Sequence, residues 1–65
     1  MDKLYKIAEV RRMVRKSTTR IYVDMEAGRF PRPVRIGARA VAWRESDLEA
    51  WMAERVAERD AVEAA

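Results

Sequence analysis

A small, mainly helical domain carrying one β-hairpin is the fold class this sequence predicts, and three observations predict it. Two segments of helical period stand only about three residues apart. A stretch of period-two alternation follows a pair of prolines. A serine-led capping signature then opens a further helix.

Ile7, Val10, Met13 and Val14 recur at helical spacing, so residues 7 to about 14 form the first helix, with Glu9, Arg11 and Arg12 on its polar side. Arg15-Lys16 is the connection. Ser17 is suited to cap a second helix starting at Thr18, because its side-chain oxygen can accept from a first-turn N–H. Gly28 is suited to stop it, because glycine enters the left-handed region without a Cβ penalty. Ile21 and Met25, four apart, face inward with Tyr22 on the flank. Thr18, Thr19, Arg20, Val23 and Asp24 take the outward positions.

Phe30-Pro31-Arg32-Pro33 excludes helix, since each proline pushes its predecessor toward extended geometry. Val34, Ile36, Val41 and Trp43 then alternate with Arg35, Ala42 and Arg44 around a Gly37-Ala38-Arg39 turn, which is a hairpin with one apolar and one largely basic face. Ser46-Asp47-Leu48-Glu49 has the form of a capping box, in which the serine and glutamate side chains satisfy each other's backbone N–H groups. The third helix runs from Asp47 to about Val62, with Leu48, Trp51, Met52 and Val56 inward. The expected core is Ile7, Val10, Val14, Ile21, Met25, Phe30, Val34, Ile36, Val41, Trp43, Leu48 and Trp51.

With 65 residues there is room for one domain over 1–65, its core at about 4–56 and an acidic helical end at about 57–65. A core this small gives marginal stability. The absence of cysteine and histidine removes disulfides and thiolate or imidazole metal sites as staples, and removes the commonest activating base for a nucleophile. Glu45, Asp47 and Glu49 are accounted for by capping, and Gly28 and Gly37 are isolated turn glycines with no phosphate loop around them. The expectation is no enzyme, no cofactor, no metal and no small-molecule substrate. No apolar run reaches membrane-span length and the N-terminus is no signal peptide, so the expected setting is cytoplasmic, away from membranes.

Charge points to the partner. Residues 1–44 carry twelve Lys/Arg against four Asp/Glu, a balance of +8, whereas residues 45–65 carry two against seven, a balance of −5. A polarised chain of this kind has a basic body suited to a polyanion. Two helices joined by a short turn cross steeply, so that the second presents one face outward. On that face Ser17, Thr18, Thr19, Arg20, Tyr22 and Val23 are candidates to contact double-stranded DNA: arginine suits guanine edges, and threonine and valine methyls suit thymine. Arg15 and Lys16 in the turn, with Arg32, Arg35 and Arg39 on the hairpin, are the candidate flanking contacts, Arg39 projecting from the hairpin tip toward a minor groove.

The run from Gly28-Arg29-Phe30-Pro31-Arg32-Pro33-Val34 through Trp43 to Trp51, with Ser17, Ile21-Tyr22 and Met25 upstream, resembles the AlpA family of prophage regulatory proteins. These are relatives of phage excisionases and, more distantly, of MerR-type winged helices. The resemblance spans roughly residues 4–56 and implies a winged helix-turn-helix fold, sequence-specific DNA binding and a role in switching mobile-element genes or in excision. The family usually has a Gly-Leu-like pair where Arg15-Lys16 stand, so the wedge residue between the helices is missing. It often has arginine at the position of Thr18 and after the Ile-Tyr pair, where this chain has Val23-Asp24.

Three functions fit. One is a transcriptional regulator of a prophage or integrated element. The second is an excisionase, or recombination directionality factor, that bends attachment-site DNA. The third, of another class, is a protein-interaction module acting through the acidic helix 47–62. Activator or repressor role, operator sequence and self-association on DNA are left open.

Overall fold

The computed structural model of the protein describes residues 2–64, with the side chains of residues 2–62. In chain order it contains β1 (Leu4–Tyr5), α1 (Ile7–Val14), α2 (Thr18–Glu26), β2 (Val34–Arg35), β3 (Val41–Arg44) and α3 (Glu45–Ala64). The strands form one antiparallel sheet in the order β1-β3-β2. This is the expected helix, turn, helix, hairpin, helix series with one strand added, and it is a winged helix-turn-helix arrangement. Of the acidic end expected at 57–65, Ala65 lies outside the described residues.

The first two helices end as their residues dictate. The Glu9 carboxylate accepts from the Lys6 backbone N–H at 3.2 Å and so holds the start of α1. Arg15 ends α1 in the left-handed conformation, with φ 57° and ψ 44°. Ser17 caps α2, its Oγ accepting from Arg20 N at 3.1 Å. At the far end Gly28 takes φ 76°. Gly28 N donates to Met25 O at 3.1 Å and Arg29 N to Asp24 O at 2.8 Å, the paired reverse bonds of a Schellman ending.

The core is Val10, Ile21, Met25, Phe30, Trp43 and Leu48, with Tyr5, Ile7, Val14 and Trp51 packed against it. Phe30 meets both indoles edge-on, with ring centroids 6.5 Å from Trp43 and 5.0 Å from Trp51. Each indole also donates a hydrogen bond into the same loop: Trp43 Nε1 to Pro31 O at 2.9 Å and Trp51 Nε1 to Arg29 O at 2.8 Å. Aromatic burial and polar satisfaction are thereby met together.

Several expectations are corrected. Ile36 and Val41 are exposed, because β2 and β3 pair only as Val34↔Ala42 and Arg35↔Val41, and the rest of the hairpin extends past anything that could cover it. Ala42, expected on the polar face, is buried. It sits on the central strand of the sheet opposite half-buried Val34. Met52 and Val56 are exposed as well, since the covered stripe of α3 runs through Leu48, Trp51 and Arg55, and the helix then outruns the body and helps give the molecule a long axis of 47 Å. The capping box does not form. β3 runs straight into α3, which starts at Glu45, and Ser46 Oγ instead donates to Asp2 Oδ2 at 2.8 Å.

The unexpected strand β1 explains that start. Leu4 pairs with Arg44 and Tyr5 with Trp43, and the ladder continues as Glu45 N donates to Lys3 O at 2.8 Å. Backbone from the N-terminal strand thus satisfies one of the donors that any helix start leaves orphaned. Tyr5 OH donates to Glu45 Oε2 at 2.8 Å, which raises the phenol's pKa, and Arg44 donates to both carboxylate oxygens of Asp47 at 3.0 and 2.9 Å. Two residues are too few for periodicity to register, and for that reason β1 does not stand out in the sequence.

The two left-handed residues make opposite predictions. Arg15→Gly relieves a Cβ penalty and stabilises the fold by about 1 kcal/mol, raising Tm by about 4–8 °C. Gly28→Ala introduces that penalty and lowers Tm by a similar amount, through backbone strain alone, because an added Cβ would meet nothing within 4 Å. Thermal melts of the two variants beside the parent check both signs.

Candidate nucleic-acid interface

The surface of α2 is set by what the helix buries. Ile21, Asp24 and Met25 lie inward, Thr18 is half-buried, and Thr19, Arg20, Tyr22, Val23 and Glu26 are exposed, Tyr22 at 43% and Val23 at 48%. Thr19, Arg20 and Val23 are exposed, as the sequence places them, and Tyr22, expected on the flank, is exposed too. Ser17 is exposed, but its oxygen is engaged in the cap. Thr18 is partly covered.

Asp24 departs from expectation. It is not an outward residue beside phosphates but a buried carboxylate, 2% exposed. Burying an ionised carboxylate is costly unless it is paired and hydrogen-bonded. Three cations meet that demand, one from each side of α2 and one from within it. Lys16 Nζ lies 2.8 Å from Oδ2, Arg20 Nε 3.4 Å from Oδ1, and Arg29 Nη2 3.4 Å from Oδ1. The Lys16 hydrogen bond, reinforced by the neighbouring positive charges, holds the Asp24 carboxyl below the usual aspartate range. Spacing from Ile21 carried the signal, since 21, 24 and 25 are one helical face and the cations stand four before, eight before and five after Asp24.

Lys16 has a second role. Its Nζ lies 5.5 Å from the centroid of the Trp51 ring and 6.0 Å from that of Phe30, and its side chain is two-thirds covered. The wedge expected to be missing is thus a lysine turned inward, its charge met by Asp24 and two aromatic faces. The turn needs one left-handed residue and one inward side chain; Arg15 supplies the first and Lys16 the second. Lys16, expected to grip phosphate, is for that reason largely committed within the protein.

The remaining cations are outward. Arg11, Arg12, Arg15, Arg32, Arg35 and Arg39 are exposed, and none has a carboxylate within ion-pair distance among the described residues. Arg39 sits in the hairpin turn, closed by Ile36 N donating to Ala40 O at 2.9 Å, and Arg35 pairs across the ladder with Val41. No helix among the described residues is long and apolar enough to cross a membrane.

Two helices joined by a three-residue turn, a two-stranded wing and a closing helix, with uncompensated arginines on turn and wing, define a winged helix-turn-helix protein with a basic surface. Residues 3–56 match the family described as Prophage CP4-57 regulatory protein (AlpA), and the chain belongs to that family. It is also 36% identical over 58 residues to "Uncharacterized protein ORF88" of Enterobacteria phage P4. That alignment covers 89% of this chain and spans 66% of the relative's length.

Replacing Asp24 with asparagine tests the cluster. A carboxylate whose folded pKa is depressed stabilises the fold above its unfolded pKa of about 4. That contribution is lost as pH falls through the lower, folded value. The parent's Tm should therefore drop steeply between about pH 5 and 2. Asp24→Asn should melt lower at pH 7 and show a flatter acid limb, the remaining slope including that of Asp47, which Arg44 holds low in the same way. Equal pH slopes in the two proteins would rule out a native-state ion cluster at Asp24.

Proposed function

We propose that the protein binds double-stranded DNA in a sequence-specific manner as a transcriptional regulator of a prophage or integrated element, acting in the cytoplasm without a cofactor. The observation that carries this reading is the exposed face of α2, presented beyond a three-residue turn and flanked by arginines that no carboxylate neutralises among the described residues. In this reading α2 lies in the major groove with Thr19, Tyr22 and Val23 toward the bases and Arg20 against the DNA at the edge of that face. Ser17 and Thr18 at the start of α2 lie near the DNA backbone. Arg15, Arg32 and Arg35 contact phosphates, and Arg39 reaches a minor groove. Membership of a prophage regulatory family supports the regulatory role.

Fluorescence anisotropy with a labelled duplex at increasing salt tests the binding. About five phosphate contacts give a slope of log affinity against log salt of about −4 to −5. A flat response, or no binding at low salt, rejects the proposal. Arg35→Ala should weaken all duplexes alike and reduce the slope by about one.

The wing makes a separate prediction. A narrow minor groove over A·T tracts concentrates negative potential and attracts arginine. Parent protein should bind more tightly when A·T tracts flank the central site, and Arg39→Ala should lose that preference with the central motif unchanged. An identical response to A·T and G·C flanks in both proteins would make the wing a general electrostatic arm.

A further inference from the structure

We propose that α2 selects its site by contacting thymine methyl groups through Thr19 and Val23, and not by pairing Arg20 with guanine; the inference rests on the duplex-binding reading above. The burial of Ile21, Asp24 and Met25 fixes which side of α2 faces out, and that side carries Thr19, Tyr22, Val23 and Glu26. Arg20, also exposed, stands at its edge, and its middle holds no cation. Thr19 and Val23 are one turn apart, so their methyls lie in line along the helix. Both are β-branched, with few χ1 rotamers open to them in a helix, so the methyls are set before any partner arrives.

Base chemistry matches this surface on one side only. In the major groove guanine offers two acceptors, N7 and O6, which a face holding the Glu26 carboxylate repels. Thymine offers a methyl group, and the amino groups of adenine and cytosine suit a carboxylate. Arg20, the one guanidinium on α2, stands at the border of this face with its Nε 3.4 Å from Asp24 Oδ1. Swinging it to a base edge removes one of three ion pairs that neutralise a buried carboxylate. The cheaper arrangement leaves Arg20 beside Asp24, with its outer end toward phosphate.

The test starts from duplexes selected out of a random pool at low salt. Each thymine of the selected site is then replaced in turn by deoxyuridine, which deletes the methyl and nothing else, and binding is measured by anisotropy. For the parent, uracil at one or two positions should weaken binding about fourfold, the worth of one buried methyl-sized group. Val23→Ala or Thr19→Ser should bind the thymine and uracil forms of its position alike. Both residues are exposed, and circular dichroism confirms folding. Arg20→Ala should bind more weakly overall and keep the thymine preference. The inference is overturned by a selected site without thymine, by equal binding of every uracil duplex, or by a preference that vanishes with Arg20 and survives in both methyl variants. A pool that enriches no duplex overturns the duplex-binding reading itself, and this inference with it.

Discussion

Phe30 and the two hydrogen bonds that bracket it hold the molecule together. Trp43 on the sheet and Trp51 on α3 each press an edge against the Phe30 ring, and each donates its indole N–H to a carbonyl one residue to either side. A loop that joins a helix to a hairpin must satisfy its backbone polar groups when it is drawn into a core. Here the aromatic residues that bury it also satisfy it. One short segment thereby fixes the end of α2, the base of the hairpin and the first turns of α3 relative to one another. Without disulfide or metal, a 65-residue chain has few other means of doing so.

The charge cluster depends on that bracket. Arg29, whose carbonyl is held by Trp51, sends its side chain to Asp24, while Lys16 lies over the Phe30 and Trp51 rings and reaches Asp24 from the other end of α2. The exposed helix is therefore tied at both ends to one buried carboxylate. A paired buried charge adds little net stability over an apolar core, because desolvation offsets the attraction. It does penalise arrangements in which the partners separate. The cluster thus acts chiefly on the orientation of α2, and it leaves Thr19 and Val23 aligned on the outside.

The order of helices and hairpin was legible in the sequence because strong local signals mark it: Ser17 and Gly28 at the ends of α2, the prolines at 31 and 33, and the spacing of Val10, Ile21 and Met25. The site was legible in part. Thr19, Arg20 and Val23 follow from helix periodicity, whereas an acid such as Asp24 on a buried face runs against the usual rule. Only the tertiary approach of Lys16 and Arg29 reverses that balance. Similar reasons hid the rest. Ile36, Val41, Met52 and Val56 obey the pattern of a covered face, yet all four are exposed, because pattern alone cannot report the extent or the side of the neighbour. The Ser46 signature reads as a cap until β1 arrives from 40 residues upstream and the helix begins two residues earlier, at Glu45.

The formal charge of +3 understates the field that α2 presents. Seven of the eleven acids are on α3. Glu45 and Asp47, nearest the sheet, are already engaged by Tyr5 and Arg44. Farther out, Glu58 pairs with Arg55 and Asp60 with Arg59. At a rise of about 1.5 Å per residue, Glu58 also stands about 20 Å along the helix from Glu45. Charges separated by more than a Debye length, about 8 Å at physiological salt, are largely screened from one another. Glu58 and Asp60 are therefore screened from the sheet end of α3, and each is already met by an arginine of its own helix.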